Sequence, residues 1–294
     1  MPEWGVHVPQ IRRDVATMRA LAISADQAGV DAFWLMDHLI SPHAPELDVL
    51  EGWTLLTALA TATTRIRLGL LVGCNPFRHP AVLAKMAATV DQISGGRLDL
   101  GLGWGSIEAE LGALGLDGKS RKGRAEELDE SLEIVKLMFT GEAFDYDGRH
   151  FRLRNVVARP TPVQQRVPIH IGGGGRQLTM PLVAKHADWW NCVAGARERL
   201  DELAPLRGSA RISAQYAVGL VDPPSTRQAV AASVAKRMPG AGWGAPLIGT
   251  PDELVEQFRA ERKKGVEMFA LCFDDYRDPT LFERFMTQVA AHVS

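Results

Sequence analysis

Asp37 and His38 interrupt an apolar run, Phe33-Trp34-Leu35-Met36, and the chain turns apolar again at Leu39-Ile40. An imidazole titrates near neutrality, so it can take up or release a proton at working pH, and a neighbouring carboxylate can hold one ring tautomer. The pair is therefore a candidate for acid–base chemistry. The structural alternative is an Asp that caps the next turn beside a His packed at a rim. A second candidate is Gly172-Gly173-Gly174-Gly175-Arg176, where an apolar segment runs into four glycines and then a helix. Glycines let a ligand approach the backbone, and the N–H groups at a helix start, with Arg176, suit a phosphate. A plain flexible loop is the competing reading, since the stretch is neither GxGxxG nor a Walker loop. Arg78 and His79 could bind an anion or lie in a solvated loop. Nothing resembles HExxH, a Cys/His cluster or a GxSxG elbow. Cys74, Cys192 and Cys272 are scattered, odd in number and set in apolar runs, which predicts inert buried thiols. A glycine cradle with neither metal nor nucleophile motif points to an organic cofactor.

These residues need elements to position them. Strands are predicted over 4–9, 32–38, 66–73, 98–105, 168–174, 188–194, 212–221 and 268–274. Helices are predicted over 14–28, 53–62, 80–93, 122–139, 177–186, 197–204, 227–237 and 251–264. Thr250-Pro251-Asp252-Glu253 has the form of a capping box with Pro at the first helical position. Gly265, behind Lys263 and Lys264, suits a helix C-terminus. Nearly continuous apolar strands alternating with helices indicate a parallel sheet, and eight strands are the number that closes a (β/α)8 TIM barrel. An open doubly wound sheet is the alternative. Residues 140–167, with a hairpin turning at Asp147-Gly148, and 222–247, rich in Pro and Gly at both ends, are predicted insertions in βα loops of a single domain spanning 1–294. In a barrel, function belongs to the C-terminal ends of the strands. That rule selects Gln10, Asp37-His38, Cys74-Asn75, Trp104 to Ser106 with Glu108, Gly172 to Arg176, Asn191 and Asp274-Asp275.

Composition narrows the classes. The chain has 294 residues, 46% hydrophobic and 23% charged, with a formal net charge of −2. That is ordinary globular composition, and a pI near 6.5 argues against a dedicated nucleic-acid surface. No segment reaches the roughly 18 apolar residues of a membrane span. The N-terminus lacks the basic and apolar regions of a signal peptide, so a cytoplasmic location is expected.

The run from Arg78 to Gly105, together with Trp34 to His38, Pro168 to Asn191 and Gly249 to Phe273, resembles the bacterial luciferase-like flavin and deazaflavin oxidoreductases. The likeness spans residues 4–275 and is closer to the compact F420-dependent branch than to the longer FMN monooxygenases. It implies a TIM barrel, usually a homodimer, using coenzyme F420 or alternatively FMN, with a separate reductase supplying the reduced cofactor to act on a small-molecule substrate. A non-catalytic cofactor-binding barrel is a further alternative. By the same likeness Asp37 is a cofactor-contacting acid and His38 the active-site histidine. Val72, Gly73, Cys74 and Asn75 form a bulge behind the ring, which carries a cis non-prolyl bond in the deazaflavin branch. Gly103, Trp104, Gly105 and Ser106 contact the ring, and Gly173, Gly174, Gly175 and Arg176 cradle its phosphate. Glu108 lies near the place of an acid that assists the histidine in sugar-phosphate dehydrogenases of the group, at a different spacing. No matching set of substrate-phosphate lysines is evident. Trp53, Trp104, Trp189, Trp190 and Trp243 lean instead towards an apolar or aromatic substrate.

Overall fold

The computed structural model describes residues 1–42, 44–239 and 241–293. Eight parallel strands close a barrel: Glu3–His7, Ala32–Leu35, Arg67–Leu70, Leu98–Gly103, Ile169–Gly172, Trp189–Cys192, Arg211–Leu220 and Met268–Phe273. Each bonds to the next, the sixth joins the seventh, and the eighth returns to the first through Glu3↔Met268 to Val6↔Leu271. The open doubly wound sheet is thereby excluded. Two short strands extend the ring at its C-terminal end, Gly73–Cys74 on the fourth strand and Leu247–Gly249 on the seventh.

Local sequence explains most of the helices. Asp14 accepts from the Thr17 N–H at the start of Val15–Ala28, and Gly29 ends that helix at φ +88°. The capping box at Thr250 and Glu253 is formed, with both reciprocal hydrogen bonds present. Gly95 and Gly96, at positive φ, terminate Pro80–Ser94. The hairpin pairs Phe144–Asp147 with Arg152–Val156 in antiparallel register. Two predicted boundaries differ. The helix expected over 197–204 is a 3-10 stretch, Ala194–Arg199, followed by a single α-turn, Leu200–Leu203. The third strand stops at Leu70 rather than 73, because the chain bulges there and re-pairs one step later as Gly73–Cys74. Leu71–Val72, inside that bulge, is the non-prolyl cis bond. Two helices were not anticipated, Glu108–Ala113 and Leu281–Gln288.

The inside of the barrel is filled by large residues that neighbouring glycines admit. Trp34 is fully buried, and a Cβ at Gly5 would lie 2.7 Å from its Nε1, while one at Gly69 would lie 2.4 Å from its ring. His170 is stacked with Trp189 and edge-on to Trp34, and Arg67 pairs with Asp99 in the same interior. Outside the strands, Trp4, Phe258, Phe269 and Phe285 interlock as an aromatic cluster between barrel and helices. With the lower barrel filled by these side chains, the barrel opens to ligand at its C-terminal end.

Candidate active site

A cleft of about 2070 Å³ opens at that end. Its floor is made by the bulge after the third strand. The Val72 side chain occupies a slot left by glycines on the next two strands: a Cβ on Gly103 would stand 2.9 Å from Val72 Cγ2, and one on Gly172 would stand 2.9 Å from the same atom. Any larger residue there would push Val72 aside. The result is a small apolar platform carried by the third, fourth and fifth strands.

His38 stands at the cleft wall, its side chain 27% exposed. Its Nδ1 lies 2.7 Å from Glu110 Oε2, while Glu110 Oε1 accepts the Leu39 and Ile40 N–H groups at 2.7 and 3.0 Å. A carboxylate accepts only, so Nδ1 carries the ring proton and Nε2 is left for a reacting group. Glu110, on the short helix Glu108–Ala113, is the acid beside the imidazole. Glu108 is 55% exposed and bonds Arg121, away from His38.

Asp37 has a different setting. Both its oxygens bond the Arg78 guanidinium, at 2.7 and 2.9 Å, and one also accepts the Cys74 N–H at 2.8 Å. Arg78 bonds Glu51 as well. Burial pushes the Asp37 carboxyl up, and the guanidinium pair and the Cys74 N–H oppose that shift. Arg78 is itself raised by the same carboxylates against its own burial, so the pair is an ionised clamp tying the second strand's end to the bulge. Arg78 is thus neither an anion site nor solvated. His79 caps the helix behind it, accepting from the Ala81 N–H.

Asp37, His38, Val72, Gly73 and Cys74 all line the cleft, as do Gly103 to Ser106 and Gly173 to Gly175. Trp104 is fixed by its Nε1 bond to Thr179 Oγ1, 3.2 Å, with Arg124 over its ring. Asn75 lies behind the bulge, 2% exposed, and its Oδ1 has no partner. Arg176 points outward, 60% exposed, and pairs with Glu202. Gln10 clips Met36 and Leu50 by backbone bonds. The aromatic lining is smaller than expected: Trp104 and Trp243 face the cleft, but Trp53 and Trp190 are buried elsewhere and Trp189 packs on His170. Burial drives the Cys192 and Cys272 thiols up to about 12 and raises Cys74 too, but Cys74 is half-buried at the cleft rather than in the core as expected, because the bulge carries it there.

One acidic grouping lies outside the cleft, where Asp129, Glu133 and His186 converge. Lys185 bonds both carboxylates at 2.8 Å and Lys136 approaches His186 Nδ1 at 3.1 Å. The grouping is a charge-balanced clasp between two helices.

The fold and the strand-end cleft define a (β/α)8 barrel of the kind that builds its site from βα loops. The sequence profile of the luciferase-like monooxygenase family matches residues 4–216, and the chain belongs to that family. It is 31% identical over 215 residues to an F420-dependent glucose-6-phosphate dehydrogenase of Amycolatopsis mediterranei, covering 68% of this chain and 61% of that protein. Among solved structures it superposes on an F420-dependent secondary alcohol dehydrogenase holding an F420–acetone adduct, with TM-score 0.84, 16% identity and 99% of each chain covered. It also superposes on a monooxygenase from Streptomyces bottropensis, with TM-score 0.82, 21% identity and coverage of 99% of this chain and 100% of that one. Among the described residues no helix is long and apolar enough to cross a membrane.

Proposed function

We propose that the chain is a coenzyme F420-dependent oxidoreductase acting on a small organic substrate, with His38 handling the proton that accompanies hydride transfer. The observation that carries this reading is the Val72 platform and the His38–Glu110 couple sharing one cleft. The residues fit the coenzyme. A low apolar floor, made where Val72 fills the slot at Gly103 and Gly172, suits a flat ring, and the side-chain-free backbone of Gly173 to Gly175 suits a polar tail. Arg176 reaches an anion by exchanging its exposed partner Glu202, a pair worth little in water. When bound, a deazaflavin supplies hydride donation or acceptance at a carbon that reacts poorly with oxygen.

The protein's own tasks are then to seat the ring, keep Val72 against it, and move a proton at His38 Nε2. Glu110 holds the ring tautomer and stabilises the imidazolium when Nε2 is protonated. The relatives named as F420-dependent dehydrogenases support the coenzyme choice. Homodimer formation and supply by a separate reductase are proposed on the family likeness alone. With only two of five tryptophans in the cleft, the case for an aromatic substrate loses its basis, and Arg13, Lys236 and Arg237 place cationic groups at the rim, while Arg277 is paired with Asp275. Fluorescence titration of the purified protein with F420 and with FMN tests the reading. We expect F420 binding; micromolar FMN binding without F420 binding would reverse it in favour of an FMN-dependent monooxygenase.

A further inference from the structure

The cleft wall holds a buried polar atom on a barrel strand that none of these tasks uses. His7 ends the first barrel strand, is 5% exposed, and lines the cleft. Its Nδ1 lies 2.9 Å from Gln215 Nε2 on the seventh strand. An amide NH2 group only donates, so Nδ1 accepts and the ring proton sits on Nε2. That Nε2 has no partner in the structure. Tyr276 holds the strand end in place, donating to the His7 carbonyl at 2.9 Å while accepting the Phe273 N–H at 3.0 Å. A buried N–H without an acceptor is costly to keep, and native proteins rarely do so without reason. A rigid donor at the wall of a ligand cleft implies an acceptor that arrives with the ligand.

Topology indicates which ligand. In an eight-stranded barrel, strand n faces strand n + 4 across the axis. The Val72 platform belongs to the third, fourth and fifth strands. His7, Gln215 and Tyr276 stand on or just after the first, seventh and eighth, which are the three strands opposite. A ring seated on Val72 would turn its other face towards His7, and a molecule held between them would be the substrate. We propose that His7 Nε2–H is a substrate-binding donor that holds the oxygen of a carbonyl or hydroxyl group. This rests on the oxidoreductase reading above and narrows it to oxygen-bearing substrates such as ketones, aldehydes and alcohols. Burial, with His38 adding to it, drives the His7 ring down to about 4, so the donor stays neutral and its tautomer constant around neutral pH.

The test uses the full chain labelled with 15N-histidine, with cyclohexanone and glucose 6-phosphate as probes. The expected result is a neutral His7 protonated at Nε2, whose signal shifts on adding at least one probe, with or without F420. In turnover assays His7→Phe should keep F420 affinity within about twofold and raise the KM of the responding probe about tenfold, the worth of one hydrogen bond. His7→Gln, which restores an N–H donor, should recover most of that loss. Gln215→Leu should release the tautomer preference without unfolding the chain. A His7 protonated at Nδ1, a signal unmoved by both probes, or a Phe variant with unchanged KM would overturn the proposal. Failure of the wild type to bind F420 would instead overturn the F420 reading, and the histidine signal would still decide the role of His7.

Discussion

At the scale of single residues, the site separates two histidines by their partners. His38 faces a carboxylate and His7 an amide, so one ring can carry charge and the other is held neutral. Removing the first should slow chemistry without emptying the site. His38→Ala and Glu110→Gln are each expected to lower turnover about a hundredfold while F420 affinity stays within a few-fold. In the Gln variant the amide NH2 can face Nδ1 and reverse the tautomer, so the pH–rate profile should change shape as well. Unchanged turnover in both would remove the proton-transfer role. His7 has its own signature in stability. Its pKa is about 4 folded against 6.5 for the free side chain, so above pH 6.5 neither state is protonated there and the residue contributes no pH dependence. Below 6.5 the unfolded chain takes up a proton that the folded chain refuses until about pH 4, so stability falls as pH falls through that window. Urea unfolding at pH 7 and pH 5 should show the wild type losing about 2 kcal/mol more than His7→Phe.

At the scale of elements, the bulge after the third strand is the part on which the site depends. Its conformation is held by the Asp37–Arg78 clamp from below and by the glycine slot from the side. A methyl group at Gly172 would sit 2.9 Å from Val72 Cγ2 and 3.0 Å from Cγ1. Gly172→Ala should therefore cost about 2 kcal/mol and weaken F420 binding. Adding Val72→Ala should restore stability, because it vacates the same space. Additive losses in the double variant, read by denaturation, would show that the slot does not govern the bulge. The strands and most helices were legible in the sequence because apolar period, caps and glycine stops are local signals. The acid beside His38 was not. Glu110 is 72 residues from its partner, on a helix of six residues, too short to show a period, and the resemblance pointed no nearer than Glu108, at a different spacing. Arg78 and Asp37 are 41 apart, and nothing in either neighbourhood announces the pair. Gly173 to Gly175 line the cleft, as their place after the fifth strand suggests, but the outward turn of Arg176 depends on Glu202 in the later α-turn Leu200–Leu203. The helix Leu281–Gln288 did leave a signal that could have been used, since Leu281, Phe282 and Phe285 form a buried stripe at helical spacing.

At the scale of the whole molecule, closing the barrel brings the chain's two ends together. The first strand pairs with the eighth, and Phe285 on the last helix packs edge-on to Trp4 near the first residue of the chain and to Phe258. Phe285→Ala should cost about 3 kcal/mol, measured as a lower urea midpoint, and it should do so without altering F420 affinity. A parallel fall in affinity would mean that the seam and the site are coupled. The ring also divides its labour by hemisphere. Strands three to five carry the Val72 platform, whereas strands one, seven and eight present His7, Gln215 and Tyr276 with the cationic rim. The proton couple is built from the loops after strands two and four, so it belongs with the first half. Ser233, Lys236, Arg237 and Met238 line the same half of the cleft from the stretch after the seventh strand. On the proposed reading, exchanging them for a relative's residues should change the choice of substrate while F420 affinity is inherited intact, and one scaffold can diversify in what it accepts without relearning how to react.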